Sequence, residues 1–238
     1  MTTNFLLGVM VSRVPRSHPV GPVVLLTMLL ALTIPVCAAS RVQAIATVEP
    51  TGEIPRDNYK SWSLFLVCNP EWLSAEKSKD LYGLYQQFQN FGKTIGNDHV
   101  AVWFWKSKKN AMDPRLADNV DVERSIRYCK ALNLKPSESP HIVVMGSYPD
   151  EAAVPKDFAA YQLAKMAPQD ISGLLAKLSD QLLLQNKVGP DSSPEPPGQL
   201  WVRLLSATQQ LIGKFGCTWS FKINTGVLSA DLHSCQKP

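Results

Sequence analysis

The residues best suited to covalent or metal chemistry in this 238-residue chain are five cysteines and four histidines. A thiol works as a nucleophile or redox group through its thiolate. That form is favoured by a neighbouring cation, a helix N-terminus or a second cysteine two residues away. Cys68 has none of these close in sequence. Its nearest charged neighbour is Glu71, which would raise a thiol pKa, so Cys68 is only a weak catalytic candidate. No second cysteine follows it at short spacing, so a dithiol–disulfide cycle cannot close within one chain. His18, His99, His141 and His233 are scattered and show no metal-ligand spacing. No G-x-S-x-G elbow and no glycine-rich phosphate loop occur. We therefore expect no metal, no cofactor and no enzyme of a recognisable motif class. Lys106, Lys108 and Lys109 form a small basic cluster that reads as a solvated loop.

Composition and the amino terminus set the context for those cysteines. The formal net charge is +4, from 24 bases and 20 acids, which offers no footprint for nucleic acid. Residues 1–40 have three parts. Arg13, Arg16 and His18 form a basic region, residues 19–37 carry no charge, and Ala38, Ala39 and Ser40 are small. That layout is a secretory signal peptide, with cleavage after Ala39 or Ser40, or later after Ala44 or Ala46. The uncharged run is also close to the length of a membrane span, so an uncleaved signal anchor at 19–37 is the other reading. Either places the remainder in the periplasm or outside the cell, with a membrane link only through an uncleaved leader. Cys68, Cys129, Cys217 and Cys235 then lie in an oxidising compartment, and three disulfide pairings are open.

The elements that would position these residues follow from periodicity. Residues 41–60 show no long pattern and read as a tether. Trp62 to Val67 is a short apolar run, read as a buried strand. Ser74 is expected to cap a helix carrying the stripe Leu81, Leu84, Tyr85, Phe88 and Phe91, stopped near Gly92. His99 to Trp105 is the strongest strand, apolar and aromatic enough to be central. Val120 to Leu132 reads as a helix, Ser139-Pro140 leads into the strand His141 to Met145, and Asp157 to Leu163 follows. A helix begins at Pro168 with Ile171, Leu174, Leu175, Leu178 and Leu182 inward. Residues 189–199 hold four prolines and read as a linker. Residues 200–238 read as a small tail of one helix and a hairpin turning at Asn224-Thr225-Gly226. A tail that small needs a staple. The hairpin brings Cys217 and Cys235 to within about two positions of opposition, so a Cys217–Cys235 disulfide is expected.

This order of elements, with a proline opening the third strand, resembles the thioredoxin-like superfamily over about residues 60–187. The segments that carry the resemblance are the strand Leu64-Phe65-Leu66-Val67 running into a long amphipathic helix, the Ser139-Pro140-His141-Ile142-Val143-Val144-Met145 segment, and the closing helix after an edge strand. The resemblance implies an α/β three-layer sandwich over residues 61–188 and a cis Ser139–Pro140 peptide. It also implies a rim, formed by Glu71, Trp72, Ser139 and Pro140, that takes an extended peptide or another protein. It places the end of the first strand and the helix before the proline loop near one rim, which brings Cys68 and Cys129 within bonding reach. The chain departs from the family's redox members by lacking their CxxC pair; Glu71 and Ser74 fall nearest those two positions. The reading is an exported, non-catalytic protein-interaction module, possible in an envelope or secretion assembly; the alternative is a monothiol redox enzyme using Cys68.

Overall fold

The computed structural model describes residues 46–56, 59–107, 116–186, 198–215, 220–225 and 229–233. The strands expected from unbroken apolar runs are buried along their whole length: β2 (Ser61–Leu66), β3 (His99–Phe104), β4 (His141–Met145) and β5 (Phe158–Gln162). Burial of both faces of a strand requires cover on both sides of the sheet. The helices supply it. On one face, α1 (Ser78–Thr94), α4 (Pro168–Asn186) and α5 (Gln199–Phe215) pack on Phe65, Trp103, Val144 and Tyr161. On the other, α3 (Val122–Ala131) lays Tyr128 and Cys129 against Leu64, Leu66, Val102 and Val143. A four-residue helix, α2 (Leu116–Asn119), precedes α3.

The seven-stranded sheet has the order β1-β3-β2-β4-β5-β6-β7, completed by β1 (Ala46–Val48), β6 (Ser220–Asn224) and β7 (Ser229–His233). Strands β1 and β2 both run parallel to β3, and every pair from β2·β4 through β6·β7 is antiparallel. The protein is thus a mixed α/β fold. The parallel pairing of β2 with β3 runs from Ser61↔His99 to Phe65↔Trp103.

Three sequence expectations need correction. Residues 46–56 are not a tether. Ala46 and Val48 are 1% and 3% exposed, and they form the edge strand β1 beside Val102 and Phe104. Three residues are too few to show a period-2 pattern, so the strand is invisible in sequence. The first helix does not start at Ser74. A single 3-10 turn, Pro70–Leu73, intervenes, and the Asn69 side chain accepts from the Glu71 N–H at 3.0 Å. Ser74 closes that turn and uses its backbone carbonyl to accept from Ser78 N–H. Finally, the described residues of the tail are not a unit apart from the main domain. β6 pairs with β5, and Leu200, Trp201, Leu204 and Leu211 of α5 join the main core. Without them β5 would be left with an unpaired edge. The close fit shows at Gly146, where an added Cβ would lie 3.3 Å from the Trp201 ring.

The segment after β1 is held by one buried arginine. Arg124 Nη1 donates to Glu49 O and Gly52 O, both at 2.9 Å, and Nε lies 3.0 Å from Glu151 Oε2. The guanidinium also sits 4.7 Å from the centre of the Phe104 ring. Tyr148 Oη donates to Ile54 O and Trp62 Nε1 to Pro55 O, which extends the clasp. Removing the guanidinium takes the side-chain donor from two carbonyls, while Glu151 keeps Arg127 as its ion-pair partner. Arg124→Ala should therefore cost about 3 kcal/mol in urea unfolding, and Arg124→Lys most of that, because an ammonium cannot reproduce the planar fork. A loss under about 1 kcal/mol would show that the clasp does not hold β1.

Candidate functional site

The candidate site forms where β2 ends and β4 begins. The two strands are antiparallel neighbours, so Leu66 sits opposite His141 and the chain just past β2 meets the chain just before β4. Ser139 makes the junction. Its hydroxyl accepts from Cys68 N–H at 2.8 Å and from Asn69 N–H at 3.2 Å. Two backbone donors leaving a strand end would otherwise be unpaired in a buried place, which is costly. One serine side chain answers both and fixes the 68–74 loop. The Asn69 side chain also donates to Glu71 Oε2 at 3.1 Å, so the loop is braced on its outer side too.

The four expected rim residues divide into two pairs. Glu71 is exposed, and Trp72 is half-buried, packed on the core with the Lys77 ammonium 5.3 Å from its ring centre. Such a stack contributes roughly 0.5–1 kcal/mol at an exposed site and holds the indole in place. Ser139 and Pro140 are buried. The Ser139 N–H already donates to Pro136 O at 3.1 Å, and Pro140 O accepts from Leu163 N–H at 2.9 Å. They therefore lie beneath the 68–74 loop and not on its exposed surface. The Ser139–Pro140 peptide is cis.

Cys68 is not a free thiol. It is bonded to Cys129 of α3, 61 residues away, with Cα atoms 6.0 Å apart, inside the normal range for a disulfide. Both half-cystines are 3% exposed and lie in the apolar cluster under α3. The second expected pair, Cys217 and Cys235, lies outside the described residues, as do the leader at 1–40, Lys108 and Lys109. Lys106 donates to Asp118 O at 3.1 Å, a loop contact.

The two histidines whose side chains are described, His99 and His141, are both buried. His99 lies between two serines, with Nδ1 2.6 Å from Ser61 Oγ and Nε2 2.9 Å from Ser63 Oγ. Burial pushes its pKa down to about 3, because a charged imidazolium there would lose its hydration. His141 contacts Lys135 O at 3.3 Å, and burial lowers its pKa to about 4. It borders a cavity of about 20 Å³, the size of one water, beside Lys222, whose ammonium donates to Leu132 O and Asn133 O. Lys222 thereby caps the carboxyl end of α3. Among the described residues no group of acidic, histidine or cysteine side chains is arranged to hold a metal, and no helix is long and apolar enough to cross a membrane.

Sequence reasoning missed Asn69 and Arg124. For Asn69 the signal was present: an Asn followed by Pro is a capping residue before a first-turn proline. For Arg124 there was none, because its partners are backbone carbonyls more than 70 residues away. No protein-family model, curated protein or solved structure matches this chain.

Proposed function

We propose that this chain is an exported, non-catalytic module of thioredoxin-like kind that binds another protein or an extended peptide at the Asn69–Ser74 loop. The observation that carries this reading is the state of Cys68. Cys68, which lies beside the loop, is consumed by a buried disulfide to Cys129, while the loop itself is braced by Ser139 and presents Glu71 and the half-buried Trp72. A preorganised loop lowers the ordering cost of binding. A carboxylate beside a half-exposed indole favours a partner with a cationic and an apolar group in adjacent positions. The resemblance in element order, with a proline-led strand beside the loop, points to the same end of the sheet. Export is supported by the leader pattern at 1–40 and by a disulfide, which persists in oxidising compartments.

Two measurements test the reading. The purified protein should leave insulin disulfides unreduced above background; turnover abolished by Cys68→Ala would establish the enzyme reading instead. A photo-crosslinking residue at position 71 should capture a partner in cells, whereas one at the exposed Lys177 of α4 should not. Equal capture at both positions would remove the loop as the binding site.

A further inference from the structure

The pairing of Cys68 with Cys129 sets a condition on how the bond is made. No CxxC pair lies in the chain to oxidise it from within, so an external disulfide must accept the electrons. Exchange with that disulfide needs a thiolate and a clear line of approach to sulfur. The folded protein offers no such line. Both cysteines are 3% exposed, in the apolar cluster that includes Leu66, Tyr128 and Leu132. A substituent on either sulfur would need room that a close-packed interior lacks. The exchange therefore belongs to the chain before α3 seats on the sheet, where reactivity follows local sequence.

In the open chain the two thiols differ. Within five positions of Cys129 stand Arg124, Arg127 and Lys130 and no acid; within five of Cys68 stand Glu71 and no cation. Neighbouring cations favour a thiolate and a neighbouring carboxylate opposes it. Folding later engages two of those cations elsewhere, Arg124 with Glu49 O and Gly52 O, and Arg127 with Glu151. We propose that Cys129 is the entry thiol and Cys68 the resolving thiol in exchange with an external disulfide. The Cys129 thiolate attacks one sulfur of that disulfide, forms a mixed disulfide and expels the other half as a thiolate. Cys68 then loses its proton to solvent, attacks the Cys129 sulfur and releases the second half. Two thiols become one disulfide, and the external disulfide becomes two thiols. Only the second step clears the substituent from Cys129 and lets α3 seat. In the open chain water separates these charges from sulfur, and the lower nucleophilicity of the more acidic thiol offsets part of its larger thiolate fraction. The preference for Cys129 is therefore roughly threefold at low salt.

The experiment exposes the reduced full chain, in urea at neutral pH, to a limiting amount of 2-hydroxyethyl disulfide, an uncharged probe. The reaction is quenched with acid and the modified cysteines are mapped by mass spectrometry. The probe should be found on Cys129 roughly three times as often as on Cys68, and the ratio should approach one in molar salt, where charges are screened within about 3 Å. An even split at low salt, or an excess on Cys68, overturns the assignment. On dilution out of urea the wild type should release the probe as the Cys68–Cys129 bond forms, whereas Cys68→Ala should keep it on Cys129. Release from Cys68→Ala as complete as from the wild type would mean that another thiol resolves the mixed disulfide, and overturns the part given to Cys68. The native oxidised protein, given 2-mercaptoethanol, should exchange at less than one-tenth of its rate in urea; equal rates would place the exchange in the folded protein and overturn the order of events. None of these outcomes touches the Asn69–Ser74 loop, whose capture of a partner at position 71 is read on protein already oxidised, so the two readings fail separately.

Discussion

Replacing Cys68 and Cys129 together by alanine is expected to lower the free energy of unfolding by about 4 kcal/mol. The bond closes a loop spanning 61 residues, and the chain-entropy model assigns about that much to such a constraint on the unfolded chain. The bridge ties the end of β2 to α3, which covers one face of the sheet, so its loss also removes one of the ties that hold that helix. Single substitutions should be no milder, since each leaves a buried thiol beside a small void. Urea unfolding of the oxidised wild type and the double variant measures the difference; a change below about 1 kcal/mol would show that the bond adds little beyond packing. Burial predicts slow chemistry as well: a reductant should act on the native protein only as fast as it opens. A nonreducing digest should yield a peptide joining Cys68 to Cys129, and the same digest reports whether Cys217 and Cys235 are joined.

The second large effect is expected in pH. His99 and His141 have native pKa values lowered to about 3 and about 4 by burial, while in the unfolded chain each titrates near 6.5. Below pH 6.5 the unfolded chain gains protons that the native protein refuses. Stability from this source is complete above pH 6.5 and is lost as pH falls, down to about 4 for His141 and about 3 for His99. One refused proton is worth about 1.4 kcal/mol per pH unit, so the two together should remove up to roughly 3 kcal/mol for each unit in the middle of the window. Urea midpoints at pH 7.5, 6.5, 5.5 and 4.5 test this. His99→Gln should be less stable at pH 7.5, through loss of contact with Ser61 or Ser63, yet show about half the slope below pH 6.5. A midpoint that stays level from pH 6.5 to 4.5 would mean that one or both imidazoles can protonate in place.

How much of this was legible in the sequence depended on the range of the interactions. The runs Trp62–Val67, His99–Trp105 and His141–Met145 became central strands because unbroken apolar sequence has no stable place except between two covering layers. The stripe Leu81, Leu84, Tyr85, Phe88 and Phe91 became the inner face of α1 for the same local reason. Helix and hairpin in the tail were also readable, through the period of Leu204 and Leu211 and the Asn-Thr-Gly signal, although Asn224 itself ends β6 as the partner of Ser229.

The candidate site was readable only in part. Glu71, Trp72, Ser139 and Pro140 could be placed near one another through a resemblance in the order of elements. Which of them is exposed could not. Exposure at that rim is decided by the Ser139 hydroxyl meeting two amides some 70 residues away and by Leu163 closing on Pro140. β1 and the docking of α5 were likewise beyond reach, since a three-residue strand has no period and a helix's inner face does not say which surface will receive it. By itself the sequence determined where apolar surface must be buried, where the chain must turn, and that no CxxC pair is present. Only the tertiary structure decided which cysteine meets Cys68, which carbonyls Arg124 holds, and where the folded body begins, because each of those is a contact between segments whose separation leaves no trace in local pattern.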